Sequence, residues 1–190
     1  MTKVDPKRVC DELRSIGRSA PTPEGRAVLT EQLLHNKWEG VQSCAAQVLA
    51  DWCGRESVEA LRTWLLGTYE RENGWAIRGV AVRALARCVG AQDAPWVLDL
   101  YFVRAQGVLA KHELLPLVAA LPVPSVRDRL LVESHDGDRD NRQAAMKAIG
   151  RMPFPDRQQL IEGFVEDPDP EIRWGAEMLL GRTSSTMPPP

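Results

Sequence analysis

Apolar residues recur along this chain with the spacing of amphipathic helices, and one pattern returns several times. Its clearest copy, from Asp169 to Gly181, reads Asp-Pro-Glu-Ile-Arg-Trp-Gly-Ala-Glu-Met-Leu-Leu-Gly. With Ile172 as position zero, an arginine stands at position one, small residues at three and four, and aliphatic residues at seven and eight. Apolar residues at this spacing share one face of a helix, so each copy predicts a helix with one packed side. The other copies begin at Val41, Ile77, Glu113 and Asn141.

Other amphipathic segments alternate with the pattern helices. They lie within residues 23–36, 57–69, 93–107, 126–132 and 160–165. Successive copies of the pattern are 36, 36, 28 and 31 residues apart, which is the range of repeats built from paired helices. The sequence therefore predicts an all-α fold, a right-handed α-solenoid of about five helical hairpins. We expect it to form one domain over residues 1–182, with 1–22 as a leading helix and cap.

Proline and polar residues mark where the first helices begin. Asp5 and Pro6 predict the start of a leading helix that reaches residue 17. Thr22 and Pro23 predict the start of the next helix in the same way. An oxygen of Asp5 or Thr22 can accept a hydrogen bond from a free N–H group of the first turn.

Glycine and proline also predict where helices end or distort. Gly90 predicts a left-handed cap after the second good copy, and Asn73-Gly74 predicts a turn before it. Pro116 lies inside the weakest copy and predicts a distorted helix there. Residues 183–190 have too little apolar surface to fold and are expected to form a flexible tail.

Composition and charge narrow the class of protein. Of the 190 residues, 44% are hydrophobic, which is enough for a continuous core. The formal net charge of -2 provides no overall field that would attract nucleic acid or an anionic membrane. Neither a secretory signal nor a membrane-spanning run is evident, so we expect a soluble, cytoplasmic protein with no membrane partner.

The four cysteines, Cys10, Cys44, Cys53 and Cys88, form no Cys-x-x-Cys pair. This spacing argues against a zinc knuckle or a thioredoxin-like redox pair. Cys44 occupies the small-residue position of the repeat, where a thiol packs as a small apolar group. We therefore expect four buried thiols in a reducing compartment.

Two segments resemble a known family. Asp-Pro-Glu-Ile-Arg-x-x-Ala-x-x-Leu-Leu-Gly and Ala-Ile-Arg-x-x-Ala-x-x-Ala-Leu are similar to bacterial HEAT repeats, which also occur in phycobilisome lyases, and the resemblance covers roughly residues 24–182. It implies that the pattern helices line a concave face and that the arginine at position one is structural, paired with an acidic residue of the hairpin turn. These arginines are Arg78, Arg142 and Arg173, while Gln42 and Leu114 replace the arginine in two copies. The candidate acidic partners are Asp138, Asp140 and Asp169.

Positions two, six and ten of each pattern helix form a stripe that faces away from the packed positions. Its basic members suit an acidic protein segment or a phosphate backbone, and Leu115 and Trp174 suit apolar anchors. An ordinary solvated helix surface accounts for the same charges equally well. The candidate partner-binding residues are Arg83, Arg87, Leu115, Gln143, Lys147, Arg151 and Trp174.

Two other functions remain open at this point. Some DNA glycosylases with HEAT-like repeats use tryptophan and acidic residues on damaged bases, and this chain has six tryptophans. However, most of them lie at helix starts or in apolar stripes, no site motif of that group is present, and the basic footprint of a nucleic-acid protein is missing. The likeness to phycobilisome lyases implies a third possibility, an enzyme that acts on a bilin.

Catalytic and metal-binding motifs are absent from the sequence. His35, His112 and His135 are far apart and belong to no His-Glu-x-x-His arrangement. The segment 136–140 departs from a calcium loop, because glycine stands second and Lys147 occupies the position of the bidentate glutamate. Its carboxylates suit helix capping instead. We therefore expect no catalytic residue, cofactor or metal. The function that we expect is that of a non-enzymatic scaffold, which binds a partner protein or acidic peptide in its concave groove.

Overall fold

A computed structural model describes residues 5–69, 75–105, 107–121 and 123–182, and every regular element in these ranges is helical. The all-α prediction is therefore confirmed. Besides α-helices the chain forms a 3₁₀ turn, Ala91–Asp93, and a π-helical segment, Leu100–Arg104. Within these ranges no helix has the length and apolar character needed to cross a membrane. The helices α1 to α11 are Pro6–Gly17, Pro23–His35, Glu39–Trp52, Arg55–Tyr69, Trp75–Ala86, Ala94–Asp99, Gly107–Ala119, Pro124–Ser134, Arg139–Arg151, Arg157–Glu162 and Pro170–Leu179.

The chain divides into two compact units, Met1–Val89 and Gly90–Pro190. In the first unit α3 packs against α1 and α5, while α2 and α4 contact each other and flank this row. In the second unit α9 packs against α7 and α11, and also against α8 and α10. The pattern-bearing helices α3, α5, α7, α9 and α11 are thus neighbours within their own unit, as in paired-helix repeats. The prediction of one domain over residues 1–182 stays a prediction.

The packed positions of the repeat are buried as the pattern predicts. Position zero is fully or almost fully buried in Val41, Ile77 and Ile172. A Cβ atom at Gly150 on α9 would lie 2.8 Å from Leu179 Cδ1 on α11, so these helices approach closely there. Small residues therefore let neighbouring pattern helices nest against each other. The alanines at position four, all with 0% exposure, are Ala45, Ala81, Ala145 and Ala176.

Replacing Ala176 by leucine is expected to lower the free energy of unfolding by about 1 to 3 kcal/mol, because the added atoms overpack a closed core. Chemical denaturation measures this change. The matched control is Ala27→Leu on the exposed side of α2, which should change stability by less than about 0.5 kcal/mol. Equal effects of the two substitutions would contradict the packing described for position four.

The predicted helix starts are confirmed. The Asp5 carboxylate accepts a hydrogen bond from Lys7 N at 3.0 Å, and the Thr22 hydroxyl accepts one from Gly25 N at 3.0 Å. In the turn before α9, Asp138 Oδ1 accepts hydrogen bonds from the backbone N–H groups of Asp140 and Asn141. The acidic segment 136–140 therefore caps a helix, as its sequence predicts.

The prediction for Gly90 is wrong. Its φ is -127°, and among the described residues only Gly54 and Gly181 have positive φ. The N–H group of Gly90 donates to Asp93 Oδ2 at 2.9 Å, so this glycine opens the next element instead of closing α5. Helix α7 continues through Pro116 to Ala119. The turn predicted at Asn73-Gly74 and the tail predicted at 183–190 lie outside the described residues.

The cysteines are paired, which corrects the prediction of free thiols. A disulfide between Cys10 and Cys44 ties α1 to α3, with the two Cα atoms 5.8 Å apart. A second disulfide, Cys53–Cys88, joins the turn after α3 to the turn after α5, with a Cα–Cα distance of 5.1 Å. The sequence separations of 34 and 35 are close to the 36-residue spacing of the first copies of the pattern. Because disulfides persist in oxidising compartments, the cysteines no longer support a cytoplasmic location, which stays a prediction.

Candidate binding face

Helices α7 and α9 bring part of the predicted stripe together in the second unit. Gln143, Lys147 and Arg151 are four residues apart and therefore lie along one side of α9. Gln143 and Lys147 line a small recess of about 10 Å³ with Leu115 of α7. We call this the α7–α9 recess. Its other lining residues are Tyr101, Lys111, His112, Asp140 and Ala144.

Lys111 of α7 is one of the lining residues that the stripe did not predict. It is only 6% exposed, and its ammonium group donates to Asn141 Oδ1 at the start of α9. Among the residues described by the structure, no carboxylate pairs with Lys111. One feature of the sequence indicates this contact. Position zero is apolar and buried in the copies that begin at Val41, Ile77 and Ile172, whereas Asn141 is polar at the same position.

Gln143 contributes a buried amide to the same recess. It is 8% exposed, and its Oε1 has no hydrogen-bond partner within the described part of the chain. A buried polar oxygen without a partner costs free energy, so such atoms are uncommon in folded proteins. Gln143 therefore presents hydrogen-bonding capacity that the fold itself does not use.

Lys147 lies half-buried among charges of both signs. Burial lowers its pKa below the ordinary value, and the positive charges of Arg139 and Arg151 add to this, while the carboxylates of Glu171 and Asp140 oppose it. None of the ion pairs found among the described residues includes Lys147. The region around the recess therefore has a cationic side chain that is partly dehydrated and not neutralised by a bonded partner.

Tyr101 forms the neutral wall of the recess. Its hydroxyl is fully buried and donates to the backbone oxygen of Ala144 at 2.9 Å. Burial raises the pKa of Tyr101 above its ordinary value, although the charge of Arg151 acts in the opposite direction. This phenol therefore stays protonated and fixes the π-helical segment to α9.

The two apolar candidates have different surroundings. Leu115 is 1% exposed, so it forms part of the wall rather than an exposed anchor. Trp174 on α11 is half-buried, and its Nε1 is buried without a hydrogen-bond partner among the described residues. Of the other tryptophans, Trp52 and Trp64 are buried as predicted for core residues, and Trp38 is 43% exposed.

In the first unit the stripe supplies Arg83 and Arg87 on and just after α5. Both are exposed, and Arg87 Nη2 donates to Asp51 Oδ1. Asp51 and Arg87 are 36 residues apart in sequence, and their ion pair joins α3 to the turn just after α5. Arg87 is therefore partly neutralised by Asp51.

Of the arginines at position one, Arg142 is bound by an acidic residue of a turn, although not by one of the candidates. Arg142 Nε and Nη2 donate hydrogen bonds to the two carboxylate oxygens of Asp167 at 2.8 and 3.2 Å. The acidic partners predicted from the sequence were Asp138, Asp140 and Asp169. Asp138 instead caps α9, and Asp169 caps α11 and pairs with Arg139. The sequence missed Asp167 because it stands two residues before the helix cap that the repeat pattern marks.

Among the contacts between described residues, the other two members of this set bind oxygens of the main chain or of an uncharged side chain. Arg173 Nη1 donates to the backbone oxygens of Asp167 and Pro168 at 2.6 and 3.0 Å. Arg78 donates to Thr68 and stacks on the ring of Tyr69, with a distance of 4.1 Å from Cζ to the ring centroid. The structural role of the three arginines stays a prediction.

A larger hollow of about 310 Å³ lies between α8 and the segment around α10, away from the stripe. Its cation, Arg127, is already hydrogen-bonded to both oxygens of Asp156. That contact raises the pKa of Arg127 and lowers the pKa of Asp156. Within the described part of the chain, no group of three or more histidine, cysteine, aspartate or glutamate side chains is placed to hold a metal ion.

No model of a known protein family matches this chain, and no curated protein does either. The resemblance to HEAT repeats therefore depends on the quoted segments and on the helix packing within each unit. What the chain binds has to be argued from the charges and the recess described above.

Proposed function

We propose that this protein is a non-enzymatic scaffold that binds an acidic peptide segment of a partner protein, and that its hairpins are HEAT-like repeats that form an α-solenoid. The stripe provides candidate binding residues in each unit by itself: Arg83 and Arg87 in the first, and Lys147, Arg151 and Trp174 in the second. The observation that carries the proposal is the α7–α9 recess. Two lysines line it, and within the described residues neither has a bonded carboxylate and the buried amide oxygen of Gln143 has no partner.

Charge supports an acidic ligand over a neutral one. A buried or half-buried ammonium group loses hydration, and a carboxylate from a partner restores a favourable environment. Lys111 and Lys147 satisfy this condition, and the exposed Arg151 extends the positive region along α9. Exposed arginines at the rim of such a site speed association and set specificity more than they add affinity.

The net charge of -2 supports a peptide over nucleic acid. Nucleic-acid binding depends on many simultaneous phosphate contacts, which usually require a strongly basic face. Here Arg87 is engaged by Asp51, and Arg139 by Asp169 and Glu171. The few remaining cations suit a short acidic segment.

Replacing Arg83, Arg87, Lys147 and Arg151 together by glutamate is expected to weaken binding of a labelled, amidated hexaglutamate peptide at least tenfold. The melting temperature should change by only a few degrees, because three of the four side chains are exposed. Fluorescence anisotropy at low ionic strength measures the affinity, since screening by salt weakens such contacts.

The matched control changes four exposed arginines outside the stripe, Arg8, Arg14, Arg55 and Arg104, to glutamate and so alters the net charge equally. It should bind hexaglutamate nearly as well as the original protein. Equal losses in both variants would show that only overall charge matters and would contradict the proposal. Tighter binding to a DNA duplex than to hexaglutamate, lost in the stripe variant, would favour nucleic acid instead.

A further inference from the structure

The α7–α9 recess differs from the exposed part of the stripe because two of its polar side chains are more than nine-tenths buried. Lys111 is 6% exposed and Gln143 is 8% exposed. The Lys111 ammonium has one neutral acceptor, Asn141 Oδ1, and Gln143 Oε1 has none among the described residues. A fold that needed only stability would place apolar side chains at such positions.

The geometry points to the α7–α9 recess as an anchoring subsite for a single carboxylate of an acidic peptide, held between the ammonium groups of Lys111 and Lys147. This inference rests on the proposed function and specifies which part of the stripe selects the ligand. Gln143 supplies a third contact, because a half-turn of its amide places an N–H donor where Oε1 lies. The exposed Arg151, one turn further along α9, then binds a neighbouring acidic residue of the same peptide.

The size of the recess restricts what can enter. A volume of about 10 Å³ admits roughly one water-sized group, which corresponds to one oxygen of a carboxylate. A neutral carboxamide could enter, but it gains much less from two ammonium donors than an ionised carboxylate does.

The charges around the recess favour an anion on balance. Asp140 lies in its lining, with its carboxylate 3.5 Å from Arg139 Nη1. Glu171 accepts a hydrogen bond from Arg139 as well. Both nearby carboxylates are therefore shared with Arg139, which leaves the two lysines as the donors available to a ligand.

Three peptides distinguish the possible sources of the carboxylate. They are an acetylated hexaglutamate with an amidated C-terminus, a hexaglutamine with a free C-terminus, and a hexaglutamine that is blocked at both ends. The subsite predicts binding of at least one of the first two and at least tenfold weaker binding of the third. Binding of the amidated hexaglutamate assigns a side-chain carboxylate, and binding of only the free C-terminus assigns a terminal one.

Lys111→Met and Lys147→Met are expected to lower affinity for the preferred peptide at least tenfold, whereas the control Lys7→Met, on the exposed surface of α1, leaves it unchanged. The melting temperature separates a ligand-binding role from a structural one. Lys111→Met should keep or raise it, because the change removes a buried charge that has no bonded anion among the described residues. If Lys111→Met fails to fold, the half-exposed Lys147→Met variant decides the question alone.

Two results would overturn the subsite. One is unchanged affinity for the preferred peptide in the Lys147→Met variant, together with unchanged affinity in a folded Lys111→Met variant. The other is equal binding of the three peptides. If the four-residue stripe variant still loses binding in these cases, the proposed function stands and only the subsite is rejected. If none of the peptides binds the original protein, the proposed function is rejected with it.

Discussion

Removing the disulfide between Cys53 and Cys88 by changing both residues to alanine is expected to lower the free energy of unfolding by about 4 kcal/mol. The bridge closes a loop of about one repeat, with a sequence separation of 35, and so restricts the unfolded chain strongly. The pair Cys10→Ala and Cys44→Ala should have a similar effect, because its separation is 34. Guanidinium denaturation of the air-oxidised protein measures both changes.

A reducing agent provides the control for this experiment. A small dithiol should destabilise the original protein and leave a variant with all four cysteines changed to alanine unaffected. The buried pair, Cys10 and Cys44, is expected to react with the dithiol more slowly than the half-buried pair, Cys53 and Cys88. Detection of four reactive thiols in the air-oxidised, unfolded protein would show that the bridges do not form.

Replacing Asp167 by asparagine is expected to lower the free energy of unfolding by about 3 kcal/mol, because it leaves the Arg142 guanidinium without its anion. Asp167 is 7% exposed, and it accepts two hydrogen bonds from Arg142 and one from the backbone N–H of Asp169. Arg142 also donates to the backbone oxygens of Asp136 and Gly137. One ion pair thus joins the turn before α9 to the turn before α11.

The effect of Asp167 should depend on pH. Burial by itself would raise the pKa of Asp167, but the hydrogen bonds from Arg142 and Asp169 N, with the charge of Arg142, outweigh it and hold the pKa below its ordinary value. A lowered pKa contributes stability above the unfolded value, near pH 4, and the contribution is lost as pH falls through the folded value. The original protein and the Asp167→Asn variant should therefore differ fully at pH 7 and converge below about pH 4.

Asp128→Asn is the control for this substitution, since the Asp128 carboxylate is exposed and lies 3.6 Å from Arg127. We expect it to change stability by less than about 1 kcal/mol, as is usual for exposed ion pairs. Urea denaturation at several pH values measures both variants. A difference between Asp167→Asn and the original protein that stays constant from pH 7 to pH 3 would rule out the ion pair as its cause.

Local sequence signals predicted the helices and the residues that pack them. The spacing of apolar and small residues placed Ala145 and Ala176 in the core, and both are fully buried. Asp5 and Thr22 were predicted as caps because capping involves groups only two or three residues apart. The prediction for Gly90 was wrong because Asp93, three residues later, supplies a hydrogen bond that a repeat pattern does not encode.

The candidate site was predicted only in part. The stripe at positions two, six and ten of the pattern helices included Gln143, Lys147 and Leu115, and these three residues line one recess. It missed Lys111, because α7 carries the weakest copy of the pattern and Lys111 lies before its first position. Asn141 at an apolar position was the available sign that a polar partner had to come from another helix.

The sequence alone determined that this chain is all-helical, which faces of its helices are packed and where most of them begin, because these properties depend on neighbours within a few residues. Tertiary structure decided which distant side chains meet. The partners of Arg142 and Lys111 are 25 and 30 residues away, and the cysteines pair across 34 and 35. Contacts at such separations depend on how one hairpin packs against the next, and residue spacing within a single helix does not specify that.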